Sequence, residues 1–424
     1  MLLPILLSLA ATVAAAGSAA AAPLVFTHVT VIDATGAPAK PDMTVVVEGS
    51  RITALGPSVS VAAPRGASVI DAAGKFLIPG LWDMHAHLTD ATEAAFPLLV
   101  EHGITGVRDL GGKLDRVDRW RAEIARGERT GPLIVRAGPF VDGPKDAADR
   151  LTVTDPAGAR RAVDSLEAVG VDLIKVHNKL PRDAFFALME QARKTGLPVA
   201  VHLPSGVTSA EASAAGARTL EHIETLIESA LFRPGATAKT WEAALAENTG
   251  ASGAALCSTL VANGTWYDPT LVAYRRGFAL WGSDTRKLAI RRACFQKLQT
   301  LAGDLHRAGV RMVAGSDFTE SSVGLRAGAD LHEELALLVE AGLSPMEAIQ
   351  AATLNPAKCL GREDSLGTIE KGKRADLVLL DCDPLDNIDN TRTIRSVVFG
   401  GRLVEVAALR TRLMQPAVAG RASR

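Results

Sequence analysis

The chain has 424 residues, 47% of them hydrophobic and 22% charged, a usage that excludes a collagen-like, coiled-coil or wholly disordered protein. Lys and Arg total 46 against 47 Asp and Glu, so the net charge is −1 and nucleic acid finds no electrostatic footprint. The length admits one large barrel or several smaller domains.

Residues 1–22, MLLPILLSLAATVAAAGSAAAA, come first. They carry no charge, their apolar run is too short to span a bilayer comfortably, and Ala20, Ala21 and Ala22 offer an A-x-A cleavage site. We expect a cleaved secretory signal and a mature protein in the periplasm or medium, without stable membrane insertion. The missing basic n-region departs from the usual pattern, and a retained anchor is the alternative.

A β-rich stretch follows: LVFTHVTVID, MTVVVEG, RITALGP and SVIDAAGKFLIPG are β-branched runs broken by Gly and Pro. The far end repeats the style in GTIEKGKRADLVLLDCDP and SVVFGGRLVEV. Residues 23–77 and 357–412 are therefore expected to pair into one small β-sandwich domain beside a central domain, 78–356.

The central domain alternates apolar runs with helical segments. The runs cover 81–88, 104–110, 133–140, 172–178, 198–203, 219–224, 265–272 and 311–317. One helix is predicted to start at an Asp155 cap with Pro156 in its first turn and to stop at Gly170. Another runs between Pro181 and Gly196, and Ser344 with Glu347 forms a capping box for a third. Eight strands alternating with helices predict a (β/α)₈ barrel. A doubly wound sheet is the runner-up, because alternation cannot count strand closure. The four cysteines, Cys257, Cys294, Cys359 and Cys382, contain no C-x-x-C pair, which argues against a cysteine zinc site. An exported chain can oxidise them, but buried free thiols fit equally well.

Polar residues gather at the ends of the apolar runs, where a barrel builds its active face. His85 and His87 are two apart, so both imidazoles can face the barrel mouth and hold one metal ion. Alone, H-x-H is a weak signal. Lys175 sits between Ile174 and Val176, where a cation is costly unless paired or neutralised. His177 shares its face, as a further ligand or a substrate contact. His202 and His222 end the fifth and sixth runs, and Asp317 ends the eighth behind Ala314, Gly315 and Ser316. Each has a bland reading, a satisfied core histidine or a helix cap. The bland readings fail together, because all of these residues lie at strand ends.

These residues carry a resemblance. Gly80-Leu81-Trp82-Asp83-Met84-His85-Ala86-His87, Lys175, His202, Glu221-His222 and Gly315-Ser316-Asp317 resemble the amidohydrolase superfamily, as do the flanks VTVIDATG, VIDAAGKFLIPG, NPAKCLG and GTIEKGKRADLVLLD. The likeness is strongest to its imidazolonepropionase-like and prolidase-like branch, of the two-metal type. It implies a TIM-like barrel in which His85 and His87 bind one divalent metal and His202 and His222 the second. Lys175, carboxylated by CO2, would bridge them. Asp317 would bind the first metal and act as the catalytic proton carrier. Imidazolonepropionase itself lacks this lysine and holds one metal, so Lys175 favours two, with zinc expected. Two cations sharing a water would lower its pKa toward neutrality, and the resemblance implies that the bridging hydroxide so formed would attack the scissile carbonyl.

The expected activity is therefore exported, metal-dependent cleavage of an amide C–N bond, in dipeptides or N-acyl amino acids. The alternatives are hydrolysis of cyclic amides or lactones, and a non-catalytic ligand-binding barrel. Candidate substrate contacts are His177, Tyr267 and Arg326, with Arg108, Asp109 and His332 behind them. Tyr267 ranks first because it is one of only 2 tyrosines and lies near the expected mouth. A small-molecule substrate and a homo-oligomer are expected, and no nucleic-acid partner.

Overall fold

The computed structural model describes residues 22–91, 93, 95–144, 149–226, 243, 250–277, 285–319 and 326–414. All but the last residue of the expected signal lies outside them.

Each of the eight predicted runs supplies a barrel strand: Leu81–Ala86, Ile104–Asp109, Leu133–Arg136, Ile174–Val176, Val199–Val201, Thr219–Glu221, Trp266–Asp268 and Arg311–Met312. Neighbours pair in parallel and in sequence order. Sequential order rules out the doubly wound alternative, which reverses at a switch point. Two junctions close the ring. Ala86 bridges Phe318 in parallel and the Met84 amide donates to the Ala314 carbonyl at 3.0 Å. At the other junction the Asp172 amide donates to the Arg136 carbonyl at 3.0 Å. Two short strands not expected from the sequence, Phe140–Asp142 and Arg150–Thr152, sit between the third and fourth barrel strands.

The local signals act as expected. The Asp155 side chain accepts from the Gly158 amide and starts helix Pro156–Ala168. Gly196, at φ 76°, ends helix Arg182–Thr195 in the left-handed conformation that costs glycine least. Ser344 and Glu347 close a full capping box on Pro345–Ala351.

Side chains alternate along each strand. Ile174, Val176, Val199, Val201, Leu220 and Tyr267 join the large cluster that also holds the helices. Leu173, Ala200, Trp266 and Val313 belong to a smaller cluster filling the barrel interior. Beside the barrel, both chain ends build one sheet of eight strands with its own core of Phe26, Val45, Ile52, Leu77, Leu377 and Leu379. Strand Leu377–Leu380 pairs antiparallel with Phe76–Pro79, which leads directly into the first barrel strand. The sandwich-like part thus anchors the strand that carries His85. All four cysteines are free, three of them buried.

Candidate functional site

The site is assembled at the C-terminal ends of the barrel strands. His85 is fully buried near the end of the first strand, with His87 just beyond it. The His85 and His87 Nε2 atoms lie 3.4 and 3.1 Å from Asp317 Oδ1. Lys175 is 1% exposed, and its Nζ lies 3.2 Å from His85 Nε2. The His222 ring centroid is 4.5 Å from that of His85 and 4.9 Å from that of His202. The six residues singled out from the sequence as metal ligands therefore converge on one spot.

Two backbone details make this convergence work. Glu221 and His222 are adjacent, so a regular strand would send them to opposite faces. His222 adopts φ 66°, and both side chains reach the interior. Asp317 repeats the device at φ 53°, beside an inward Ser316 that hydrogen-bonds Asp83. Left-handed backbone is uncommon outside glycine, and His and Asp are among the residues that tolerate it. Gly315 is required by close approach, since a Cβ there would collide with the Asp268 carboxylate and the His85 side chain.

Beneath the imidazoles lies a buried charge cluster. His85 Nδ1 is 3.0 Å from Glu221 Oε2, and Arg108 holds both Glu221 oxygens at 2.9 Å. The same guanidinium reaches Asp268 at 3.4 Å. One cation cannot satisfy two carboxylates equally. Burial raises the pKa of Glu221, but Arg108, His85 and Lys175 overcome it and hold the carboxyl well below the usual range. Burial, reinforced by the Glu221 charge, pushes Asp268 far above its ordinary value. Asp268 Oδ1 is buried without a hydrogen-bond partner among the described residues.

Burial pushes Lys175 down to about 8, against the raising effect of Glu221 and Asp317. It pushes His85 down to about 3, helped by the Lys175 charge, so this imidazole is neutral. For Asp317 burial raises the pKa, but the imidazoles of His85, His87 and His222 outweigh it and the carboxyl stays ionised.

The donor set fits a divalent cation. His85, His222 and Asp317 present donor atoms all within 4.8 Å of one another. His85 Nδ1 faces Glu221, and His222 Nδ1 lies 2.8 Å from Thr270 Oγ1. Outer partners on Nδ1 leave the Nε2 lone pairs for a metal. Imidazole with carboxylate suits zinc and its first-row neighbours.

The expected substrate contacts fare unevenly. His177 stands at the rim, stacked on His202 at 4.5 Å and edge-on to Phe140 at 5.3 Å. Phe140 also packs on His87 at 5.4 Å, so it forms an apolar part of the same wall. Tyr267 is fully buried on the helix-facing side, its hydroxyl donating to the His222 carbonyl at 3.3 Å. It does not reach the mouth, because Trp266 and Asp268 take the inward positions of that strand. Arg326 is exposed ahead of helix Ala329–Ala341, its backbone amide bonded to Asp330. Arg108 lies below the site, and Asp109 is buried with its carboxylate on the Leu88 amide at 2.8 Å. His332 is buried between Thr391 and the His102 carbonyl.

The sequence reading missed the roles of Glu221, Asp268 and Thr270. The available signal was an acid at each of two strand ends, one beside a candidate ligand histidine and one in TWYDPT.

Comparison with known proteins agrees with this geometry. The model of the amidohydrolase family matches residues 76–404. Adenine deaminase 3 of Rhizobium meliloti is 24% identical over 356 residues, covering 80% of this chain and 51% of that protein. The chain thus spans about half the length of the curated relative it matches. A structure of molinate hydrolase superposes with a TM-score of 0.73 at 22% identity, covering 96% of this chain and 98% of the other. A Xaa-Pro dipeptidase structure with bound methionine in its active site gives 0.71 at 21%, covering 91% and 100%. At these identities the two structural likenesses speak for the fold.

Proposed function

Because this chain belongs to the amidohydrolase family, we propose that it is a metal-dependent hydrolase cleaving carbon–nitrogen bonds of small molecules, with dipeptides and N-acyl amino acids as the substrate class. The observation that carries the reading is Lys175. A fully buried ammonium pays a desolvation cost that its contact with the His85 nitrogen at 3.2 Å offsets only in part. With its pKa near 8, the amine is partly neutral at physiological pH. A neutral amine adds CO2 and releases a proton, giving a carbamate whose oxygens are anionic ligands.

In this reading His85, His87, Lys175, His202, His222 and Asp317 hold two divalent ions, with zinc as the expected metal. Bound there, the ions would polarise the scissile carbonyl and acidify a water. The chain's own residues do the rest. Asp317 keeps Oδ1 toward His85 and His87, leaving its second oxygen to accept a proton and pass it to the departing amine. Glu221, charged and clamped by Arg108, holds His85 in the Nδ1–H tautomer. Phe140 and His177 shape the entrance.

The test is metal analysis combined with a panel of dipeptides, N-acyl amino acids, cyclic amides and lactones. About two ions per chain and turnover of linear amides, lost on chelation, support the reading. A metal-free chain hydrolysing nothing in the panel would overturn it. The short apolar leader and its Ala20-Ala21-Ala22 site support an exported enzyme, and N-terminal sequencing should find the mature chain beginning near Ala21, Ala22 or Pro23.

A further inference from the structure

Thr270 follows the seventh barrel strand and opens helix Leu271–Gly277. It is fully buried and adopts φ 44°. A β-branched residue there is a genuine outlier, and such strain persists only where the surroundings over-determine it. They do so here. The His222 amide donates to the Asp268 carbonyl at 2.8 Å, and the Ile223 amide donates to the Pro269 carbonyl at 3.0 Å. On the other side the fully buried Glu334 accepts from the Leu271 and Val272 amides at 3.0 and 2.7 Å. The turn 268–270 is thus pinned to the sixth strand on one side and to helix Ala329–Ala341 on the other. The strained residue places its Oγ1 2.8 Å from His222 Nδ1.

We propose that Thr270 is a positioning residue for His222, its left-handed backbone maintained by Glu334 so that the hydroxyl sets the tautomer and ring angle of that ligand. Glycine would occupy this φ at less cost, but it has no hydroxyl to offer. The inference rests on the metal-hydrolase reading above.

The test compares Thr270→Ser with Thr270→Ala. Both remove the Cγ2 methyl and so share the packing loss, but only Ser keeps the hydroxyl. The full chain loaded with zinc is titrated with a chelator, and thermal unfolding is recorded with and without zinc. Ala should lose about 10–100-fold in zinc affinity, the usual size for an outer partner of a ligating histidine. Ser should retain wild-type affinity and the wild-type rise in melting temperature on adding zinc. Thr270→Val keeps the shape without the hydroxyl, and it must lose affinity as Ala does, which decides the matter if Ala fails to fold. Equal affinities for Ser and Ala overturn the proposal. Zinc binding by wild type with no loss in Ala or Val overturns this inference alone. A wild type binding no divalent ion overturns the hydrolase reading with it.

Discussion

His85 Nδ1 and Glu221 Oε2 lie 3.0 Å apart, and neither side chain has any exposure to solvent. The carboxylate is held in turn by Arg108, whose Nε donates to the Met84 carbonyl at 2.5 Å on the strand that carries His85. A candidate ligand histidine, an acid from a strand across the barrel and an arginine from the neighbouring strand therefore form one rigid unit. Its rigidity comes from burial: removing one member leaves an uncompensated charge in the core.

Glu221→Gln keeps the shape and removes the charge. Arg108 then faces only Asp268, which must ionise to compensate. Zinc affinity should fall about 10–100-fold, as for other carboxylate partners of ligating histidines. Stability should fall by less than the roughly 3–5 kcal/mol of an uncompensated buried charge, because Asp268 takes over part of the pairing. Chelator competition and urea unfolding of the same preparation measure both. Unchanged zinc affinity would show that Glu221 serves the barrel core and not the site.

Lys175→Ala should abolish turnover and loosen metal binding, because it deletes the proposed bridge. Added acetate or propionate should restore part of the activity by supplying a carboxylate in its place. Mass spectrometry under CO2 should show a labile adduct on the wild type that the variant lacks. A fully active Lys175→Ala enzyme would refute the assignment.

Asp317→Asn retains the volume but not the basic oxygen. Turnover should drop by about 10²–10⁴, the usual share of a general acid–base group. Most of the metal should stay, since the other ligands remain. The variant is to be assayed at saturating zinc, with metal content measured in parallel. A near-normal kcat would pass the proton-carrier role to another group, with His177 next.

The metal-free protein should lose stability in mild acid, and His332 should contribute. Burial, with the nearby His102 and Arg392 charges, pushes its pKa down from 6.5 to about 3. Between those values the unfolded chain binds a proton that the folded chain refuses, so stability falls as pH drops through this window. The loss approaches about 1.4 kcal/mol per pH unit for one such group. Urea midpoints from pH 7 to 5 should fall less steeply for His332→Gln than for wild type. Equal slopes would exclude His332 as a source of acid sensitivity.

The converging residues were legible because a strand writes its facing rule into spacing. His85 and His87 are two apart, Lys175 interrupts an apolar run, and the rest lie at or near the ends of apolar runs. The barrel could be read for the same reason, since left-handed glycines such as Gly103, Gly170, Gly196, Gly264 and Gly309 stand just before strands and are local signals. Substrate contacts did not follow. Tyr267 was placed at the mouth by its position in a run, yet a shift of one residue sends a strand side chain to the other face. Arg108, an expected substrate contact, turned out to lie below the site.

By itself the sequence determined the alternation of strands and helices, the pairing of both chain ends into one sheet, and the identity of the converging residues. Each depends on short-range periodicity or on a recognisable motif. Only the tertiary structure decided that Glu221, Arg108, Asp268 and Thr270 stand behind those residues. Their partners lie far away in the chain: Arg108 meets Glu221 across 113 positions, and Thr270 meets His222 across 48. No local pattern encodes such a pairing. It exists because closing the ring brings strand ends together in a dry interior, where a charge or ring nitrogen without a partner is costly.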